Sequence, residues 1–164
     1  MLENKIFRQS FAAGVLIAIA LGLWLSHLWS AENQVRLHSE HLLAQIEKGN
    51  WSATAEMVAP DYHDDWGDDR DLLVNRLRMT LHFFTSLTIT PNSPRIDAGA
   101  ATGTWTSQVR INGTGAEVAP EMIARINSLT TPFVLRWRKE SWRPWDWKLV
   151  EAHNPSLELP ANGF

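Results

Sequence analysis

The stretch LLAQIEKGNWSATAEMVAPDYHDDWGDDRDLLVNRL, residues 42–77, decides the fold class of this chain. Its apolar spacing completes a helix predicted over residues 32–48, which Gly49 ends in a left-handed cap. Ser52 is a suitable N-cap for a short second helix, and a third helix is predicted to begin near Asp68. Three helices in a row therefore begin the folded part of the chain.

After these helices the residue pattern changes to that of strands. Residues 87–90 and 101–112 are rich in threonine, valine, isoleucine and tryptophan. Two further segments, 133–138 and 147–152, place their large apolar residues at every second position on either side of a turn, which predicts a C-terminal hairpin. This order indicates an α+β domain, in which about three helices pack on one face of a curved antiparallel sheet.

A short amphipathic helix interrupts the predicted strands. Pro120 suits a first helical turn, and the apolar residues that follow it at helical spacing are Met122, Ile123, Ile126 and Leu129. A helix this short is not stable alone, so its apolar stripe must pack on something. We expect the stripe either to close the open end of the sheet or to dock a neighbouring protein.

A mostly apolar run without a formal charge, residues 11–29, precedes the folded part. Its nineteen residues carry no formal charge, and as a helix they would extend about 28 Å, close to the hydrocarbon thickness of a bilayer. Lys5 and Arg8 precede the run and Glu32 follows it, so the N-terminus is predicted to be cytoplasmic. The sequence thus predicts a single-pass membrane protein with the lipid bilayer as a partner and a periplasmic or otherwise extracytoplasmic main domain. A cleaved signal peptide is the alternative.

Length and composition limit the remaining choices. The predicted division is a cytoplasmic N-terminus with a transmembrane helix (1–31), one folded domain (32–154) and a C-terminal tail (155–164). A net charge of -3 provides no basic surface, so no nucleic-acid partner is expected. The lack of cysteine excludes disulfides and thiolate metal sites, and no cofactor is predicted.

Two stretches carry a resemblance to a known superfamily. Residues 42–77 and the closing WDWKLVEAHNP, residues 145–155, are similar to the nuclear-transport-factor-2-like (NTF2-like) proteins, whose cone-shaped fold is shared by ketosteroid isomerase and scytalone dehydratase. The resemblance spans roughly residues 35–154 and implies that fold for the domain. Two features depart from the simplest members: the membrane helix and the insertion at residues 116–129. Some single-span members are assembly factors of type IV secretion systems, which implies that the architecture can serve as a scaffold.

The resemblance also suggests where catalysis could occur. Enzymes of this superfamily use an Asp or His base with Tyr donors inside the cone, and Tyr62, His63, Asp64 and Asp65 are residues of those types. Their spacing matches no isomerase or dehydratase motif, so they remain candidates and no catalytic residue is assigned. The alternative is that the two aspartates form a turn.

The sequence indicates no metal site. His38 and His41 have a spacing that can place two imidazoles along one helix, but no third ligand accompanies them. The six aspartates of residues 61–71 lack the ligand order of an EF-hand.

Aromatic residues supply the candidates for ligand and partner binding. The residues predicted to line a pocket are Tyr62, Trp105, Trp137 and Trp147, with burial in an ordinary core as the alternative. The residues predicted to bind a partner are Met122, Ile123, Ile126, Trp142 and Trp145, the last two because they lie at a hairpin turn.

The leading functional hypothesis is a membrane-anchored, non-catalytic binding or assembly module in an extracytoplasmic compartment, as part of a membrane protein complex. Other membrane or periplasmic proteins are the expected partners, and homo-oligomerisation is left open. One alternative is a small-molecule isomerase or dehydratase that uses an acidic residue in the cone. The other is a passive binder of a lipid-like ligand.

Overall fold

The computed structural model describes residues 2–157, with side chains for residue 11, residues 14–25 and residues 27–157. Within this part of the chain the elements occur in the order of an α+β domain, which confirms the predicted fold class. The helices are α1 (Leu2–Leu28), α2 (Ala31–Glu47), α3 (Trp51–Met57), α4 (Arg70–Leu81) and α5 (Ala119–Asn127). The strands are β1 (Phe84–Ala98), β2 (Thr102–Gly115), β3 (Phe133–Lys139) and β4 (Trp147–His153).

The strands form one antiparallel sheet in the order β1-β2-β3-β4. Trp105 of β2 lies opposite Leu135 of β3, and Trp137 of β3 lies opposite Leu149 of β4. All four side chains are buried and belong to the hydrophobic core. The alternation that predicted a C-terminal hairpin therefore marks the strands that build the core.

Strand β1 is much longer than the predicted residues 87–90. It begins at Phe84, which the sequence places on the apolar side of the third helix, and it continues through Pro91 and Pro94. These prolines are tolerated because β1 lies at the edge of the sheet, where a missing N–H need not break a ladder bond. The pairing with β2 shifts register around Ser93, whose φ is 50°, so a bulge separates the two halves of the strand.

Two helices begin one or two residues away from the predicted positions. Asn50, not Ser52, is the N-cap of α3, and its side chain accepts a hydrogen bond from the third residue of the helix. Asp69, not Asp68, is the N-cap of α4 and accepts the corresponding bond at 2.9 Å. Asp68 therefore does not cap the helix, and its side chain is buried.

Helix α2 packs closely on the sheet at a glycine. A Cβ atom at Gly103 of β2 would lie 2.5 Å from Cγ2 of Val35, whose side chain is fully buried. The missing side chain thus allows α2 to approach the strand. The same helix also contacts β1 and β4, so it covers the sheet from edge to edge.

The segment that follows α3 runs beside β4. The N–H of Ala59 donates to the carbonyl of Leu149 at 2.8 Å, and the N–H of His63 donates to the carbonyl of Val150 at 3.3 Å. Val58 forms a parallel bridge with Leu149. These bonds hold the acidic turn of residues 61–69 against the last strand.

The predicted membrane localisation is wrong. Crossing a bilayer takes about 20 consecutive apolar residues in a helix. Among the described residues, no helix is long and apolar enough to cross a membrane. The single-pass topology, the extracytoplasmic placement and the transmembrane helix within residues 1–31 therefore lack support, although α1 itself is helical.

The predicted domain boundaries stay a prediction. The C-terminal part of the predicted tail, residues 158–164, lies outside the described residues. Residues 155–157 follow β4 without regular structure. Leu157 lines a cavity between the helices and the sheet.

Candidate functional site

A cavity of about 280 Å³ lies between the helices and the sheet. Apolar side chains from nearly every element after α1 form most of its wall. Those on helices are Leu42, Leu43, Ile46, Leu73, Leu77, Leu81, Met122 and Ile126. Those on strands are Phe84, Leu87, Ile89, Trp105, Val109, Ile111, Phe133, Leu135, Leu149 and Ala152. Val58, Trp66 and Leu157 come from the connecting segments.

The predicted helix of the insertion, α5, forms one side of this cavity. Strand β3 pairs with residues 102–107 of β2, and within residues 2–157 no strand pairs with the far half of β2 on that side. The side chain of Asn127, the last residue of α5, takes this place: it donates to the carbonyl of Ile111 and accepts from the N–H of Ile111, both at 2.9 Å. Met122 and Ile126 then lie in the wall.

The remaining residues predicted to bind a partner lie elsewhere. Ile123 is half-buried on α5 and outside the described cavity wall. Trp142 and Trp145, in the turn between β3 and β4, are 84% and 53% exposed. The ring of Trp145 lies 6.4 Å from that of Trp29, between ring centroids. A partner-binding role for these residues stays a prediction.

The predicted catalytic candidates are not brought together around the cavity. Tyr62 is buried, and its hydroxyl donates to Oδ2 of Asp64 at 2.9 Å. Burial, and next the carboxylate of Asp64, raise the pKa of Tyr62 far above its usual range, so the phenol stays neutral. Oδ1 of Asp64 accepts the backbone N–H groups of Trp66 at 3.0 Å and Asp68 at 2.9 Å. Asp64 thus organises the turn, which was the alternative interpretation.

The other two candidates, His63 and Asp65, are exposed. Oδ2 of Asp65 contacts Nδ1 of His153 on β4. Nearby, Asp61 makes a two-pronged ion pair with Arg138 of β3, at 2.8 and 3.0 Å. This pair holds the pKa of Asp61 below its ordinary value, chiefly through the hydrogen bonds from Arg138. These contacts attach the acidic turn to the outside of the sheet and leave all of these groups outside the described cavity wall.

The polar pair that does line the cavity, Asp68 and Arg76, was not among the residues predicted from the sequence. Asp68 is 2% exposed, and its Oδ1 accepts a charged hydrogen bond from Nη2 of Arg76 at 2.7 Å. Its Oδ2 is buried and has no hydrogen-bond partner among the residues that the structure describes. Burial raises the pKa of Asp68, and the guanidinium of Arg76 opposes that effect only in part.

A sequence signal for this pair did exist. Leu73, Arg76, Leu77 and Thr80 have the spacing of one helical face, and all four line the cavity. An arginine within an apolar stripe needs a buried partner or a polar ligand. The remaining polar side chains of the wall are Thr54 of α3 and Arg125 of α5.

The tryptophans predicted to line a pocket divide into two groups. Trp105 lies in the wall, and its indole N–H is buried without a hydrogen-bond partner in the described part of the chain. Trp137 and Trp147 are buried in the core outside the described wall, and Nε1 of Trp147 donates to the carbonyl of Pro144 at 2.9 Å. Tyr62 is outside that wall as well.

The two histidines considered as metal ligands have other contacts. Nδ1 of His38 lies 2.8 Å from the carbonyl of Gln34, and its Nε2 lies 3.0 Å from the carbonyl of Trp145. Nε2 of His41 lies 3.3 Å from the side-chain nitrogen of Gln45. In the described part of the chain, no group of three or more His, Asp or Glu side chains could hold a metal ion.

Solved structures similar to this chain share its fold, whereas the sequence comparisons found no match. No protein-family profile and no curated protein sequence matches the chain. An NTF2-like protein of unknown function from Pseudomonas putida KT2440 has a similar structure, with 11% identity, a TM-score of 0.56, and coverage of 75% of this chain and 84% of that one. A protein from Streptomyces avermitilis, provisionally assigned as a dehydratase of the NTF2-like family, has 14% identity and a TM-score of 0.54 over 74% of this chain and 92% of that one.

A third similar structure, from Shewanella frigidimarina, is provisionally assigned as a ketosteroid isomerase. It has 16% identity and a TM-score of 0.54 over 76% of this chain and 94% of that one. At such identities the likeness concerns the fold alone, and the fold accommodates enzymes as well as proteins of unknown function. The chain therefore has an NTF2-like α+β fold.

Proposed function

We propose that this chain is a non-catalytic binding module that takes up an apolar small molecule in its cavity. The observation that supports this proposal is the cavity. Its volume, about 280 Å³, is near the lower end of ligand sites, which measure roughly 300–1,000 Å³. It is also well above the roughly 150 Å³ of an engineered apolar cavity that binds benzene. An apolar ligand would fill space that otherwise costs packing energy.

The composition of the wall favours binding over catalysis. An isomerase or dehydratase needs an acid and a base that both reach the substrate. Asp68 is the one carboxylate among the described wall residues, and the other ionisable groups there are the guanidinium groups of Arg76 and Arg125. A guanidinium stays protonated at neutral pH, so it cannot serve as the second proton-transfer group.

Isothermal titration calorimetry with 2-methylnaphthalene tests the proposal on the full chain. This probe has no polar group and suits a cavity of this size. We expect saturable one-site binding with a negative heat-capacity change, because apolar surface is buried. Val109→Phe places a larger side chain in the cavity wall and should weaken binding at least about tenfold, since it removes the space for the probe.

The matched control is Val118→Phe, the same substitution at an exposed position before α5 that lies outside the described wall. It should bind the probe as the unsubstituted chain does. If the probe does not bind, or if both substitutions weaken it equally, the cavity is not a binding site. Thermal unfolding of both variants checks that they are folded.

A further inference from the structure

Two residues of the cavity wall each have a buried polar side-chain atom with no hydrogen-bond partner among the described residues, and the two atoms are of opposite types. Oδ2 of Asp68 is a hydrogen-bond acceptor, and Nε1 of Trp105 is a donor. A buried polar atom without a partner is costly, so a polar group on the bound molecule that reaches either atom would be stabilising. The opposite types matter, because a carboxylate ligand cannot donate and an ammonium ligand cannot accept. A hydroxyl can do both.

The charges around Asp68 also favour a neutral group. Asp68 and Arg76 form an ion pair at 2.7 Å, so together they carry no net charge. A charged ligand group beside this pair would lose its hydration without gaining a free counter-charge. Asp64 nearby is held by three hydrogen bonds, from Tyr62 and from two backbone N–H groups. Arg125 is exposed on α5, where solvent screens its charge.

We infer that the ligand is an apolar alcohol whose hydroxyl donates a hydrogen bond to Oδ2 of Asp68 while its hydrocarbon part fills the cavity. This inference rests on the proposed function and names its ligand class. Arg76 holds the other carboxylate oxygen and fixes the side chain of Asp68 for this contact. The indole N–H of Trp105 is the donor available to an oxygen of the ligand.

A series of four probes with one ring system tests the ligand class. They are 2-methylnaphthalene, 2-naphthalenemethanol, 2-naphthoate and 2-naphthylmethylammonium, each titrated calorimetrically into the full chain at pH 7. The alcohol should bind at least about tenfold more tightly than the hydrocarbon, the size expected for a hydrogen bond to a charged acceptor. Both ionic probes should bind more weakly than the alcohol, because each brings an unpaired charge into the cavity.

Substitution of Asp68 should reverse this preference. Asp68→Leu is larger and apolar; it removes the acceptor and releases the guanidinium of Arg76, so the advantage of the alcohol should vanish and 2-naphthoate should gain affinity. Asp68→Asn is the milder variant, and it should reduce the advantage to about threefold, because its acceptor is neutral. Asp71→Leu and Asp71→Asn are the matched controls at an exposed position in the first turn of α4, and both should retain the preference for the alcohol.

The outcomes separate the two proposals. If 2-methylnaphthalene and the alcohol bind equally, the cavity is a binding site but the alcohol inference is wrong. If either ionic probe binds most tightly, the inference is wrong in the same way. If none of the four probes binds, the proposed function fails and the inference fails with it. An unchanged preference in Asp68→Asn likewise contradicts the contact with Asp68.

Discussion

Gly103→Ala tests how α2 is placed over the sheet, and through it how the cavity is formed. The new Cβ would lie 2.5 Å from Cγ2 of Val35 and 3.1 Å from the Cβ of Ala98. Carbon atoms in good contact are about 3.5–4.0 Å apart, so α2 would have to move by about 1 Å. Overpacking of this kind costs about 1–3 kcal/mol. In urea unfolding, we expect the free energy of unfolding to fall by that amount.

The shift should also reach the ligand site, because α2 carries three residues of the cavity wall. Val35→Ala removes the clashing methyl, so in the double variant the two losses should be less than additive by about 1 kcal/mol or more. Gly99→Ala is the control, since its Cβ would have only a carbonyl oxygen at 3.8 Å nearby. A loss below about 0.5 kcal/mol for Gly103→Ala, or strictly additive losses in the double variant, would refute the close packing of α2.

Three further predictions concern polar groups in the cavity wall or close to it in the fold. Tyr62→Phe removes the hydroxyl that donates to Asp64 and should lower the free energy of unfolding by about 1.5–3 kcal/mol; an unchanged urea midpoint would contradict this bond. Asn127→Ala removes both side-chain bonds to Ile111, so amide exchange at Ile111 should accelerate while exchange in the β3–β4 hairpin does not. Asp68 has a folded-state pKa raised above 3.8, so its contribution to stability is greatest below that pH and is lost as the pH rises through the folded-state pKa. The stability of the unsubstituted chain relative to Asp68→Asn should therefore fall as the pH rises from 3 to 6 in urea titrations, and a relative stability that rises would contradict the raised pKa.

Local sequence patterns predicted the elements whose faces repeat regularly. Trp137 lies between two arginines, and Trp147 and Leu149 lie on either side of Lys148; all three are buried in the core of the sheet, as a period of two requires. The helical spacing after Pro120 likewise predicted α5. The start of β1 could not be predicted in this way, because Phe84 continues the helical spacing of α4 and only pairing with β2 places it in a strand.

The composition of the site depended on contacts between distant segments. The sequence suggested Tyr62, Asp64 and Asp65 because their types suit catalysis, but the turn uses Asp64 for its own backbone hydrogen bonds. Asp68 and Arg76 are eight positions apart, and no local rule pairs a residue before a helix with one in its second turn. The membrane prediction used the charge-free run and the charges that flank it, and no helix among the described residues meets the requirement for spanning.

Stability alone does not account for the pair of Asp68 and Arg76 in an otherwise apolar wall. Replacing a buried ion pair with apolar residues of similar volume is often neutral or even stabilising, because both charges lose hydration. Here the cost is visible in the raised pKa of Asp68 and in the unpartnered Oδ2, whereas the neighbouring Leu73 and Leu77 have no polar atoms in their side chains to satisfy. A purely structural wall would favour more leucines at these positions. A carboxylate held in place by arginine, with one oxygen left over, is instead what recognition of a hydroxyl inside an apolar cavity requires.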